Sequence, residues 1–292
     1  MGAPEKKIEQ KIEKKIEKIT NQPVDSIRPL SGGCVGDVYK VIMQSGPDLV
    51  AKVGDGQSGL AVEGASLEYL KNRSKLPVPE VLFSDDNLLL MTFLPSTGGL
   101  GRCAQAHAGE LVANLHLISH ENGFGFDSPT IIGGLHQPNP WNKNWVDFFR
   151  DQRLLYMGRM ALDAGNLPGQ LMQRLEKFAS DLGRFIQSPE KSSLIHGDMW
   201  TGNVLADGGR ISGFIDPAIY YADPEIELAF TQMFGTFNDA FFSAYENIKK
   251  INAGFFEERL SIYNLYPLLV HVRLFAGGYV SSVDGTLKKF GY

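Results

Sequence analysis

The sequence predicts an α+β protein with two lobes, a small sheet-rich lobe followed by a larger, mainly helical lobe. Two observations predict this class. Strand-like apolar segments dominate the chain before residue 94, and helical spacing of apolar residues dominates from about residue 105 onward. Between them, the segment Pro-Ser-Thr-Gly-Gly at residues 95–99 has the composition of a connecting loop. We therefore place an N-terminal lobe at residues 1–94 and a C-terminal lobe at residues 95–292.

The bulk composition limits the possible partners. The net charge of −5 leaves no basic excess to neutralise a phosphate polymer, so we expect no nucleic-acid partner. No apolar stretch is long enough to span a bilayer, and the first residues lack the apolar core of a signal peptide, so we expect no membrane contact. Two cysteines without a metal-binding pattern fit a reducing cytoplasm.

The N-terminal element is predicted to be an amphipathic helix. Ile8, Ile12, Ile16 and Ile19 recur at helical spacing, with lysine and glutamate between them. The favoured interpretation is that the isoleucines pack on the first lobe. A membrane surface or a partner helix is the alternative occupant of that face.

The remaining elements follow from periodicity and turn residues. Predicted strands cover residues 27–30, 38–43, 49–53, 81–83 and 88–93, and a helix covers residues 60–72. In the second lobe, Leu111, Leu115 and Ile118 mark one helix, and others are predicted near residues 143–163, 168–187, 224–251 and 255–275. Two short strands are expected on either side of Asp207-Gly208-Gly209.

The strongest chemical signal is the segment that contains His196, Asp198 and Asn203. Its spacing, His-x-Asp-x4-Asn, is that of a kinase catalytic loop. Asp198 would orient an acceptor hydroxyl and take its proton, and the amide oxygen of Asn203 would coordinate Mg²⁺. Asp216, at the end of an apolar strand, would be the second metal ligand. The alternative, a helix cap at Asp198 and a turn at Asp216, does not explain their combined order. These residues predict a bilobal protein-kinase-like fold that uses ATP and Mg²⁺.

The first lobe contains matching parts in the order that such a kinase requires. Lys52 lies in the apolar strand LVAKV, where a charge is costly unless it is paired. Glu63 on the next helix is the expected partner, with Glu68 as the alternative. Glycines let backbone N–H groups approach phosphate oxygens, so a phosphate-binding turn is predicted at Gly32, Gly33 and Gly36, although a plain hairpin turn would have the same composition.

The strand that enters the interlobe connection is predicted to bind adenine. Backbone groups of Thr92, Phe93 and Leu94 would hydrogen-bond the edge of the base, and Met91 or Leu90 would cover its face. The alternative is a simple core strand.

Several blocks of the sequence resemble those of a known family. The blocks SGGCVGDVYKV, HGDMWTGNVL and IDPAIYYADPEIELAF look like those of the fructosamine kinase / ketosamine 3-kinase family, and the match extends from about residue 20 to 292. The resemblance implies an ATP- and Mg²⁺-dependent kinase that phosphorylates the sugar 3-hydroxyl of small or protein-bound ketoamines in deglycation. Two positions depart from the family pattern: Glu227 replaces an aspartate, and Thr92 stands where an acidic residue is common.

Several residues have a functional and a structural interpretation. Trp200, Arg153 and His271 are candidate acceptor contacts, each with a core or bracing role as the alternative. His196 is predicted to be structural.

The two cysteines have different predicted roles. Members of the family with a cysteine at the position of Cys34 look redox-sensitive, through a disulfide that joins two copies of the chain. The resemblance therefore implies either a monomer or a disulfide-linked homodimer. The alternative is that Cys34 is inert. Cys103 is expected to be a buried small residue.

Three other functions remain open from the sequence. The chain could be another small-molecule kinase of this fold, for aminoglycosides, choline or homoserine. It could be a non-catalytic nucleotide-binding module, or a scaffold that dimerises through the N-terminal lysine/glutamate helix.

Overall fold

The computed structural model describes the backbone of residues 3–30 and 37–292 and the side chains of residues 12–30 and 37–292. The predicted glycine turn with Gly32, Gly33, Cys34 and Gly36 lies outside the described residues, so the phosphate-binding turn and the redox role of Cys34 stay predictions.

The first part of the chain forms a five-stranded antiparallel sheet with two helices. The strand order is β1-β2-β3-β5-β4. The strands are β1 Val24–Pro29, β2 Asp37–Met43, β3 Leu49–Val53, β4 Val81–Ser84 and β5 Leu88–Thr92, and the helices are α1 Ala3–Thr20 and α2 Leu60–Arg73. The strands predicted at residues 81–83 and 88–93 are present and pair as an antiparallel hairpin, whereas β1 begins three residues earlier than predicted.

The alternation of side chains in β3 assigns one helix to each face of the sheet. Leu49 and Ala51 pack in the cluster that contains Ile12 and Ile16 of α1. Val50 points to the other face, where it packs with Leu67 of α2 and other apolar residues. The described isoleucines of α1 therefore pack on the sheet, as the favoured interpretation predicted. Because Lys52 lies two residues after Val50, the same alternation directs Lys52 towards α2.

The second part is mainly helical, with short two-stranded ladders. The described helices are α3 Arg102–Leu115, α4 Trp145–Phe149, α5 Tyr156–Asp163, α6 Gly169–Ser180, α7 Glu225–Met233, α8 Asp239–Glu246, α9 Leu260–Tyr263, α10 Leu265–Phe275 and α11 Gly278–Lys289. π-helical turns at Arg150–Leu155 and Phe255–Arg259 precede α5 and α9. The ladders pair β6 Thr130–Ile132 with β7 Leu135–Gln137, β8 Ser193–Ile195 with β11 Tyr220–Ala222, and β9 Val204–Asp207 with β10 Arg210–Phe214.

The antiparallel sheet followed by helices confirms the predicted α+β class, and the β9–β10 hairpin confirms the strands predicted around Asp207. Other element predictions need correction. The helix predicted over residues 224–251 is broken between α7 and α8, where Gly235 has a φ of +63°. Strands β6, β7, β8 and β11 were not predicted, because segments of three residues carry too little periodicity. Helix α11 was also missed.

The predicted burial of Cys103 is wrong, because this residue is exposed. Helix α3 turns Ala104, Ala108 and Val112 towards the core, and Cys103 in its first turn falls outside that stripe. None of the helices in the described part of the chain has the length and apolar character that crossing a bilayer requires.

Candidate active site

The segment at residues 196–203 begins where strand β8 ends, and β11 determines its course. Tyr220 of β11 pairs with Ile195 of β8, and just outside this ladder the N–H of Ala218 donates to the carbonyl of His196 at 2.8 Å. Gly197 has a φ of +86°, and a Cβ there would lie 2.1 Å from the carbonyl oxygen of Ala218. Only glycine fits this turn, which explains the residue between His196 and Asp198.

Asp198 and Asn203 contact each other across the loop. The amide nitrogen of Asn203 donates to the backbone carbonyl of Asp198 at 2.9 Å and to its carboxylate at 3.1 Å. Since the nitrogen is engaged with Asp198, the amide oxygen remains for another ligand.

The β9–β10 hairpin brings Asp216 beside this pair. Val204 pairs with Phe214, and the N–H of Ile215 donates to the carbonyl of Asn203 at 3.0 Å. Asp216 follows directly, in the left-handed region with a φ of 56°, and its side chain is 32% exposed. A hard amide oxygen and an accessible carboxylate therefore lie on adjacent segments, a donor set that suits Mg²⁺.

Lys52 connects the two lobes at this site. Its ammonium group donates to Glu63 Oε1 at 2.7 Å and to Asp216 Oδ1. Glu63 is buried, whereas the alternative partner Glu68 is exposed. Burial opposes the charge of Lys52, but the attraction of Glu63 and Asp216 outweighs it and raises the pKa of Lys52. Lys52 is a single cation beside two carboxylates, those of Glu63 and Asp216. Burial raises the pKa of the Glu63 carboxyl group to about 7.

Glu227 holds the backbone of the loop from behind. Its carboxylate accepts the N–H of His196 at 3.1 Å and that of Gly197 at 2.6 Å. Nε2 of His116 lies 2.9 Å from the same carboxylate, and Tyr245 contacts Nδ1 of that ring. Burial disfavours the charge of Glu227, but the hydrogen bond from His116 and the other nearby groups outweigh it and lower the pKa of Glu227. Glu227, which replaces the aspartate of the family pattern, thus reaches the loop with its longer side chain.

Sequence reasoning missed His116. Its role depends on a contact with a residue 111 positions away, and nothing in the local sequence around His116 indicates it.

The environment of Asp198 favours its neutral form more than water would. Burial, and then repulsion by Asp216, raises the pKa of Asp198 to about 7, against the hydrogen bond from Asn203. His196 is fully buried, which lowers the pKa of its ring, and Nδ1 accepts the N–H of Asp198 at 3.4 Å. His196 therefore packs behind the loop, consistent with its predicted structural role.

The described residues contain no cluster of three His, Cys, Asp or Glu side chains that could enclose a metal ion. A cation between Asn203 and Asp216 would take its other ligands from phosphate oxygens and water, as Mg²⁺ commonly does.

The residues predicted to bind adenine are partly engaged in the sheet. The N–H of Thr92 donates to the carbonyl of Glu80, and the N–H of Phe93 donates to that of Asp48, both at 2.9 Å. These two N–H groups are therefore used within the first lobe. Met91 is buried in the sheet core, and the side chain of Leu94 lies against Gly213 of β10. Adenine binding by backbone groups of Thr92, Phe93 and Leu94 stays a prediction.

The three candidate acceptor contacts occupy different environments. Trp200 is partly exposed on the loop, and half-buried His271 packs against Phe234. Arg153 is fully buried in a π-helical turn, where it donates to the carbonyl of Pro138 at 2.7 Å and lies 3.9 Å from the ring centre of Tyr220. This burial favours the structural alternative for Arg153, whose two terminal guanidinium nitrogens donate inside the protein, while its buried Nε has no hydrogen-bond partner among the described residues. Its acceptor contact stays a prediction.

Comparison with known sequences gives consistent matches over nearly the whole chain. The profile of the fructosamine kinase family matches residues 7–290. A probable ketoamine kinase from Vibrio parahaemolyticus is 32% identical over 267 residues, covering 89% of this chain and 90% of the relative. A second, from Synechocystis, is 32% identical over 281 residues and covers 92% of each chain.

Solved structures show the same fold. A Thermobifida fusca protein provisionally described as a fructosamine-3-kinase superposes with a TM-score of 0.87 at 28% identity, over 95% of this chain and 97% of that one. An aminoglycoside phosphotransferase, crystallised with ADP and hygromycin B, has a TM-score of 0.68 at 18% identity, over 96% and 99% of the two chains. The second match concerns the fold alone, and it confirms the protein-kinase-like architecture.

Proposed function

Because the chain belongs to the fructosamine kinase family, we propose that it transfers the γ-phosphoryl group of ATP to the sugar 3-hydroxyl of a ketoamine. Such a transfer would be a step in protein deglycation. The observation that carries the proposal is the convergence of four side chains from both lobes: Lys52, Asp198, Asn203 and Asp216.

Asp198 is the proposed acceptor-facing residue. A carboxylate can orient a hydroxyl group by accepting its hydrogen bond and can take the proton as the oxygen attacks phosphorus. Its pKa of about 7 is near the pH at which a general base works well, because the group is available unprotonated yet still basic. The hydrogen bond from Asn203 keeps one carboxylate oxygen in position.

Lys52, Asn203 and Asp216 would hold the donor side. Lys52, aligned by Glu63, would contact phosphate oxygens, and the oxygens of Asn203 and Asp216 would hold Mg²⁺. When bound, Mg²⁺ supplies positive charge that offsets the charge on the transferring phosphoryl group. The glycine turn at Gly32, Gly33 and Gly36 would cover the phosphates in this proposal.

The test is an ATP-consumption assay with Mg²⁺ over ribulosamine, erythrulosamine and fructosamine acceptors. The Asp198→Asn variant should lose about 10²–10⁴-fold in kcat, because the amide cannot take the proton, while ADP affinity remains close to that of the wild type. Asp86→Asn, at an exposed position of the β4–β5 turn, is the matched control and should keep full activity.

The product decides between the candidate activities. Phosphorus-coupled NMR should locate the phosphate on the sugar 3-hydroxyl. Turnover only with aminoglycosides, choline or homoserine would assign the chain to a different acceptor class. Nucleotide binding without any turnover would support the non-catalytic alternative.

A further inference from the structure

A strip of aromatic side chains extends from the catalytic loop to the last two helices. The rings of Trp200 and Phe234 are 6.2 Å apart, and those of Phe234 and His271 are 5.2 Å apart. From His271 the contacts continue to Phe275 at 5.7 Å and to Tyr279 at 4.8 Å. We call these five residues the aromatic strip.

Much of the aromatic strip faces solvent. Trp200 is 37% exposed, Phe234 38% and Phe275 58%. In the described part of the chain, no lysine or arginine lies over any of its rings. A contiguous exposed aromatic surface is costly in water unless something covers it during function.

The strip begins at the proposed reaction centre. Trp200 lies two residues after Asp198, and the backbone N–H of Trp200 donates to the backbone carbonyl of Asp198 at 3.3 Å. Its ring folds back onto the loop, since a Cβ at Gly202 would lie 2.4 Å from the six-membered ring. The position of the first ring is thereby fixed relative to Asp198 and Asn203.

His271 adds one polar atom to the strip. Nδ1 lies 2.7 Å from the carbonyl oxygen of Pro267, which can only accept, so Nδ1 carries the proton. Burial lowers the pKa of the His271 ring, which favours the neutral form of the ring over the protonated form. Nε2 is then a hydrogen-bond acceptor on a ring that packs against Phe234 and Tyr279.

A ketoamine has two halves that differ in chemistry. The sugar half carries the hydroxyl groups, and the amine half carries a secondary amine and its substituent. The nitrogen is three covalent bonds from the carbon that bears the 3-hydroxyl. With that hydroxyl at Asp198, the amine half must therefore lie within a few ångströms of the catalytic loop.

We propose that the aromatic strip is the subsite for the amine half of the acceptor and that it favours apolar or aromatic N-substituents. The protonated nitrogen lies on this strip, where ring faces attract cations and Nε2 of His271 can accept its hydrogen bond. The substituent lies along Phe234, Phe275 and Tyr279. This inference rests on the proposed ketoamine kinase activity and adds the class of amine that the enzyme selects.

The experiment compares two ketoamines that share one sugar, an N-methyl and an N-phenethyl derivative. The wild type should prefer the phenethyl substrate by about tenfold in kcat/KM, through KM, because an additional ring is buried. Phe234→Ala and Phe275→Ala should bring this ratio close to one. His271→Phe keeps the ring and removes the acceptor, so it should raise KM for both substrates.

Phe256→Ala is the matched control. This phenylalanine is 50% exposed but packs on Phe242 and Phe255, away from the strip, so the variant should keep both the activity and the preference. Light scattering on Phe275→Ala and the wild type tests whether a second copy covers the strip.

The outcomes separate the two proposals. If both ketoamines are phosphorylated with equal kcat/KM, or if the preference survives in Phe234→Ala and Phe275→Ala, the subsite is refuted and the kinase activity stands. Loss of a dimer in Phe275→Ala would assign the strip to self-association and overturn the inference. If no ketoamine is phosphorylated by the wild type, both proposals fail.

Discussion

At the scale of single residues, Glu227 shows how one buried carboxylate can determine the shape of a catalytic loop. It accepts two consecutive backbone N–H groups, from His196 and Gly197, and it contacts His116. Hydrogen bonds to an ionised group are stronger than neutral ones, and they are costly to lose in a buried site. Glu227 does not touch the proposed reacting atoms, so it acts as a positioning residue.

Replacing this residue tests that role. Glu227→Gln replaces one acceptor oxygen with a donor that faces an N–H group, so we expect unfolding free energy to fall by about 2–4 kcal/mol. We also expect a lower kcat with little change in the KM for ATP, because Asp198 is displaced while the donor side is kept. Urea unfolding and steady-state kinetics measure both effects.

Two further variants complete this comparison. Glu227→Asp retains the charge and should recover part of both losses. Glu176→Gln, at an exposed position of α6, should change neither quantity. Full activity in Glu227→Gln would remove Glu227 from the positioning of the loop.

At the scale of elements, the alternation along β3 connects the core to the site. Even-numbered Val50 and Lys52 face α2, and odd-numbered Leu49 and Ala51 face α1. Helix α1 therefore supports the strand that carries Lys52. Its Ile16 is fully buried in that contact.

Truncating Ile16 should destabilise the sheet. Ile16→Ala removes buried methyl groups and leaves a cavity, which costs about 2–5 kcal/mol in unfolding free energy. Ile248→Ala, at an exposed isoleucine after α8, should cost less than about 0.5 kcal/mol. Urea unfolding of both variants gives the comparison, and equal small losses would mean that α1 does not belong to the folded core.

At the scale of the whole molecule, Lys52 joins the two lobes. It pairs with Glu63 of α2 and with Asp216 after β10, across 164 residues of chain. Within the described side chains, it makes the only salt bridge between the sheet-rich and helical parts. The lobe boundary itself, at residues 94 and 95, stays a prediction.

Removing Lys52 should make stability depend more strongly on pH. The pKa of Glu63 is already raised to about 7, and Lys52 holds it down, so Lys52→Met should raise it further. A raised acid pKa contributes stability that is complete below the unfolded-state value and is lost as pH rises through the folded-state value. The variant should therefore lose more unfolding free energy than the wild type between about pH 5 and pH 8.

The double variant Lys52→Met/Glu63→Gln isolates the cause. It lacks the titrating carboxyl group, so the additional pH dependence should disappear while a constant loss remains. Chemical unfolding at several pH values gives the curves. Parallel curves for Lys52→Met and the wild type would show that Glu63 is not the group responsible.

The sequence by itself determined the α+β class, the family resemblance and the candidate residues Lys52, Asp198, Asn203 and Asp216. It could do so because a catalytic loop and a strand lysine are local patterns, visible within a few consecutive residues.

Only the tertiary structure showed that Lys52 pairs with Glu63 and not with Glu68, and that Arg153 is buried. It also showed that the N–H groups of Thr92 and Phe93 are hydrogen-bonded within the first lobe and that His116 contacts Glu227. These outcomes depend on contacts between segments that are far apart in the chain, or on which side of an element faces the core. Such contacts form through space, and they leave no periodic trace in the neighbouring sequence.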